Sequence, residues 1–186
     1  QEWIDSTMKC FEALKLKKPN EFSQTVSLGI SGHMHGATLI DKDGNVIRPC
    51  ILWNDTRSYQ ECEEFEKQNF DVRSISGNIT MPGFTAPKIN WIKNNEIDNF
   101  KKIFKVLLPK DYLRFVLTGE FFSEMSDASG TLWLDIQKRK WSNQLLSCSF
   151  LEEKHMPDLV EGNEQTGFLK KDLKEKFNFN NNVKVV

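Results

Sequence analysis

The sequence predicts a mixed α/β domain, on three observations. Segments of helical periodicity alternate with short apolar runs along all 186 residues. No internal repeat or low-complexity linker divides them. A turn signal between two apolar runs follows the first strand, as in a hairpin inserted into an otherwise alternating order.

Each element has a local reason. From Ile4 to Lys17, apolar Ile4, Met8, Phe11, Leu14 and Leu16 fall near a 3.6-residue period and predict a helix, which Pro19-Asn20 ends. Gln24 to Ile30 predicts a buried strand, broken by Ser31-Gly32. Ala37 to Asp41 and Val46 to Trp53 flank Asp43-Gly44-Asn45 and predict a hairpin. Thr56 to Phe70 is charged and amphipathic, hence helical, and Ser76 to Thr85 is a loop. Pro87 to Asn95 predicts a short helix with Ile89, Trp91 and Ile92 in the core. Val106 to Leu108 is a strand; Pro109 opens a helix that Thr118-Gly119 stops. Phe121 to Met125 predicts a strand and Asp127 to Thr131 a turn. Helices over Trp141 to Cys148 and Lys170 to Phe177 precede a last strand, Val183 to Val186.

Composition removes several function classes. Lys and Arg total 25 against 26 Asp and Glu, a net charge of −1. That leaves no broad basic face for nucleic acid, no polybasic membrane patch and no acidic disordered tail. No run approaches the roughly 18 to 20 apolar residues of a membrane span. Gln1-Glu2-Trp3-Ile4-Asp5 has neither the basic nor the apolar region of a signal peptide. A soluble cytoplasmic protein is the expectation. Cys10, Cys50, Cys62 and Cys148 are scattered, without a CxxC pair, which fits a reducing compartment better than a disulfide framework.

Three polar clusters could carry chemistry. Ser31-Gly32-His33-Met34-His35-Gly36 follows the first strand, where α/β sheets collect ligands; it suits sugar hydroxyls, or equally a turn shaped by its glycines. Zinc on His33, His35 and cysteines is disfavoured, because HxH on an extended segment points the rings to opposite faces. Asp41-Lys42-Asp43-Gly44 echoes a calcium loop, but its twelfth position is Leu52, where a glutamate is needed. Trp53-Asn54-Asp55-Thr56-Arg57 offers an aromatic plate and short polar groups for a polyol, and also a helix N-cap at Asn54 or Asp55. Glu124 to Thr131 could bind a hydroxyl or phosphate, although a tight turn explains it more simply. No P-loop, GxGxxG or GxSxG motif is present.

Longer stretches carry a resemblance. Gly29-Ile30-Ser31-Gly32-His33-Met34-His35-Gly36-Ala37-Thr38-Leu39 and Arg48-Pro49-Cys50-Ile51-Leu52-Trp53-Asn54-Asp55 closely resemble the xylulokinase branch of the FGGY sugar-kinase family. So do Gly77-Asn78 through Met81-Pro82-Gly83-Phe84-Thr85-Ala86-Pro87-Lys88, Leu107 to Arg114, Leu117 to Phe121 and Ser126 to Asp135. The similarity spans nearly the whole chain, and Gly83 to Asn95 fits the family's first signature, with Lys88 and Trp91 at its fixed positions.

The resemblance implies a ribonuclease H-like (actin/hexokinase-type) fold, with residues 1–186 part of the N-terminal sugar-binding domain and an insertion around 37–87. It implies a kinase moving the ATP γ-phosphate, with Mg²⁺, to the 5-hydroxyl of D-xylulose or a related ketose. The implied sugar contacts are Met34, His35, Trp53, Asp55 and Gly83. Gly83 stands where glycerol-kinase relatives have an aromatic ring, leaving room for a five-carbon sugar. His33 departs from the family's usual Gln. The family's DxGT hairpin would precede Gln1, and its Asp general base would follow Val186, so no catalytic residue is expected within the chain. Neither a metal site nor bound ATP is expected here, and a homodimer is allowed. Loss of a general base costs about 10²–10⁴-fold, so the chain alone is expected to be inactive and to be a window on one more than twice as long. Gluconate, ribulose or a deoxy-sugar as substrate, or a non-catalytic carbohydrate-sensing or scaffold derivative, remain the alternatives; the flanking coding sequence would separate enzyme from derivative.

Overall fold

A computed structural model describes residues 1–186. Helix α1 (Glu2–Lys17) carries Glu2 and Asp5 in its first turn and Lys15 and Lys17 in its last, matching the helix dipole. It buries Phe11, while Leu14 and Leu16 of the expected apolar stripe face solvent. Pro19 does more than end it: lacking an N–H, it also opens α2 (Pro19–Ser23). The buried strand expected over Gln24 to Ile30 shrinks to β1 (Ser27–Leu28), with Val26 and Ser27 exposed. The reason is that β1 is an edge, paired on one side only.

Strand β2 (Thr38–Ile40) is wholly buried. The expected turn after it forms, with the Asp41 carboxylate accepting from the N–H groups of Asp43 (3.0 Å) and Asn45 (2.9 Å). The expected hairpin ladder does not. Ile40 meets Val46 and Ala37 meets Ile51, a shift of register around Pro49, which has no N–H to donate. The ladder partner of β2 is instead β3 (Lys105–Leu107), antiparallel.

The helix expected over Thr56 to Phe70 is only α3 (Tyr59–Glu66), and α4 (Val72–Ser76) follows, capped by Asp71. Helix α5 (Thr85–Asn95) buries Ile89 and Ile92 and leaves Trp91 on the core's margin; α6 (Ile97–Phe100) trails it. Pro109 opens α7 (Pro109–Thr118) and Gly119, at φ +89°, closes it, as expected. After β4 (Phe122–Glu124) the expected turn begins as a helix, α8 (Met125–Ser129). Trp141, expected in a helix, lies in a hairpin of β5 (Leu134–Asp135) and β6 (Lys140–Trp141), and α9 is Asn143–Ser147. Strand β7 (Asp158–Val160) runs parallel to β4. Then come β8 (Gly167–Phe168), α10 (Lys171–Phe177) and β9 (Lys184–Val185). Strand β9 lies between β1, parallel, and β8, antiparallel.

Two apolar clusters result. The larger spans β2, β3, α5 and the Trp133–Trp141 region. The smaller gathers Phe11, Phe22, Phe177 and Phe179 between α1, α2 and α10. The loop after β1 leaves the small sheet and crosses toward the larger cluster, which places the first polar cluster between the two.

Candidate functional site

His35 sits in that loop with φ +59°, and the Gly36 N–H donates to the Met34 carbonyl at 2.7 Å, so the chain doubles back at the histidine. The turned loop projects the imidazole toward α8. Nδ1 lies 2.9 Å from the Gly130 carbonyl oxygen. A carbonyl only accepts, so Nδ1 carries the proton and the neutral ring keeps Nε2 as a lone-pair acceptor. Burial draws the His35 pKa below its ordinary value, outweighing the Gly130 hydrogen bond that raises it. The ring also stands edge-on to Phe84, centroids 4.7 Å apart. His33 departs from it and stacks on Trp3, centroids 6.0 Å apart. The two histidines therefore do not converge, although a turn at His35, and not the extended segment the spacing assumed, separates them.

An open cavity of about 590 Å³ lies beside His35, lined among others by Met34, Asn78, Lys110, Glu124 and Asp127. The first and third polar clusters thus form one site. The Glu124 to Thr131 segment has both of its expected roles: Glu124 caps α8, accepting from Ser126 N (2.8 Å), Asp127 N (2.7 Å) and the Ser126 hydroxyl (2.6 Å), and it also faces the cavity. Burial pushes the Glu124 carboxyl up, but those donors outweigh it and hold the pKa below the usual value.

Lys110, in the first turn of α7, supplies the cavity's cation. Its ammonium lies 2.7 Å from Asp111 Oδ1 and 3.0 Å from Asp127 Oδ2. Asp111 is 1% exposed, and burial raises its pKa against the opposing pull of Lys110 and Arg114. Behind it, Asp111 and Ser123 line a separate small pocket of about 10 Å³. Lys110 and Asn78 escaped sequence reasoning as site residues. Both lie inside the stretches that carry the family resemblance, the one signal that could have pointed to them.

The second cluster stays outside the cavity lining. Trp53 is 53% exposed. Asp55 does not cap a helix: its carboxylate is held by its neighbour Arg57, at 2.9 and 3.0 Å from Nε and 2.7 Å from Nη2. This hydrogen bonding keeps the Asp55 carboxyl below its usual range. Gly83 packs on the Trp53 backbone, where an added Cβ would lie 3.0 Å from the Trp53 carbonyl oxygen. The sequence reading gave that glycine a role in sugar size; its contact in the fold is with backbone.

Comparison with known proteins places this arrangement. The model of the FGGY family of carbohydrate kinases, N-terminal domain, matches residues 1–186. The chain is 49% identical over 169 residues to the xylulose kinase of Escherichia coli strain K12, an alignment covering 91% of this chain and 34% of that one. Against the xylulose kinase of Klebsiella pneumoniae the identity is 46% over 180 residues, covering 96% and 36%. The crystal structure of a xyloylose kinase from Brucella ovis superposes with a TM-score of 0.92 at 52% identity, covering 94% of this chain and 36% of that one. The chain spans about a third of the length of the curated relatives it matches. Its fold is that of the actin/hexokinase-like N-terminal domains of these kinases. The chain belongs to the FGGY family of carbohydrate kinases, matching its N-terminal domain throughout.

Proposed function

We propose that the cavity beside His35 binds D-xylulose, as the sugar-binding part of a cytoplasmic kinase that passes the ATP γ-phosphate to the sugar's 5-hydroxyl. The observation that carries this is the convergence of Met34, His35, Lys110 and Asp127 on one open cavity, in a chain 49% identical to a xylulose kinase. A neutral His35 offers Nε2 to a ketose hydroxyl. Lys110 donates and Asp127 accepts, the mixture a polyol needs. Met34, half exposed, packs its thioether against the carbon skeleton. Trp53, Asp55 and Gly83 lie outside the cavity lining, on the 37–87 insertion; that they meet the sugar, and that Gly83 leaves space for a five-carbon chain, rests on the family resemblance alone. Affinity for D-xylulose undiminished in Gly83→Tyr would sink that last assignment.

No group of three or more His, Cys, Asp or Glu side chains is placed to hold a metal ion, and no glycine-rich phosphate loop is present. Phosphoryl transfer is not assigned to any residue of this chain. The family resemblance assigns the general base and the nucleotide site to parts of the parent enzyme that this chain, about a third of its relatives' length, does not span.

The test is an NMR titration following the Met34 methyl and the His35 Cε1–H. D-xylulose is expected to shift both saturably, at lower concentration than gluconate, ribulose or glycerol. No response to D-xylulose would overturn the proposal. A coupled ADP-release assay on the 186-residue chain is expected to show no turnover; normal turnover would refute the assignment of catalysis to residues elsewhere.

A further inference from the structure

The most buried cation in the molecule touches no carboxylate. Lys88, on α5, is 0% exposed, yet none of the twelve ion pairs of the molecule includes it. Its ammonium donates instead to two backbone carbonyls, those of His35 at 3.0 Å and of Gly83. The Thr85 hydroxyl, one turn earlier on α5, donates to the same His35 carbonyl at 3.1 Å. His35 is also the loop's one non-glycine residue with positive φ, a backbone state that needs external support. A buried ammonium is costly unless it is used, and an apolar side chain of similar length would fill the space without that cost.

We propose that Lys88 is a positioning residue: its ammonium fixes the backbone of His35 against that of Gly83, and so aims the His35 imidazole at Gly130 and into the cavity. The sugar-binding consequence rests on the proposed function; the aiming of the ring does not. Burial lowers the Lys88 pKa to about 8, only partly opposed by Cys50, Asp55 and Cys62. Those three, with His35, are the titratable groups around it. None of them shares its range: burial pushes Cys62 up to about 11 and Cys50 above its ordinary value, while Asp55 is held low by Arg57.

The experiment compares wild type with Lys88→Met by melting, by the His35 Cε1–H resonance and by D-xylulose titration. Lys88→Met is expected to retain a cooperative melt, to move the His35 resonance toward that of a free imidazole, and to weaken D-xylulose binding on the order of tenfold to a hundredfold. A lysine serving only the fold would lower the melting temperature and leave the ring resonance of the folded variant unchanged, and that result overturns the inference. Should Lys88→Met not fold, wild type labelled at lysine Cε decides. The His35 resonance is then expected to show an inflection where Lys88 itself titrates, and its absence overturns the inference. A ring that moves in Lys88→Met, in a chain whose wild type ignores every ketose, would keep the positioning role and remove only the proposed function.

Discussion

Gly130 has no Cβ, and the space one would need is filled by Cε1 and Nδ1 of the His35 ring. The imidazole and the Gly130 carbonyl meet because that residue is bare. Gly130→Ala is therefore expected to expel the ring, and D-xylulose affinity should fall about as far as in His35→Ala, on the order of tenfold or more. Isothermal titration of the two variants checks this; an alanine variant that binds like wild type would show that the contact is dispensable. At this scale the cluster from Ser31 to Gly36 was legible because it is contiguous and follows a strand, whereas Met34 and His35 were singled out within it by the family resemblance alone. The meeting of Lys110 with Asp127 was not: it depends on how α7 and α8 are each set against β4, which no local spacing encodes. The same holds for Lys88, whose carbonyl partners sit on two separate loops.

Among the elements, those with strong punctuation could be read directly. Pro109 and Gly119 bound α7 in sequence and in structure alike. Helices of five residues have no period to read, so α4 escaped and α8 was taken for a turn; their sequence signal lies in the caps, Asp71 and Glu124. The carboxylate of Asp71 accepts from the N–H groups of Arg73 at 3.0 Å and Ser74 at 3.1 Å. Asp71→Ala is expected to cost about 1 kcal/mol. Urea unfolding measures it, and a loss below a few tenths would mean that packing of Val72 alone holds the helix. The hairpin after β2 failed as a ladder for an equally local reason, Pro49, although its turn was correctly placed.

For the whole molecule, α/β alternation was visible in the periodicities, but the division into two apolar clusters was not, because each is assembled from distant segments. The smaller joins residues of α1 and α2 to α10 and the approach to β9. Phe177→Ala is expected to cost on the order of 3–5 kcal/mol. Amide exchange should then lose protection in α1 and α10, while α5 and the β2–β3 pair keep theirs. Uniform loss would mean that the two clusters unfold as one. The four phenylalanine rings of the smaller cluster all lie within 4.6 to 6.4 Å of one another, centroid to centroid. Neither tryptophan nor tyrosine is among that cluster's residues, whereas Trp133 and Trp141 sit in the larger one. A melt followed by tryptophan emission thus watches chiefly the half of the molecule that holds α5 and the β2–β3 pair. The phenylalanine half reports through Trp3 alone, on α1 and stacked on His33, so comparing wild type with Trp3→Phe would separate its signal from that of the larger cluster.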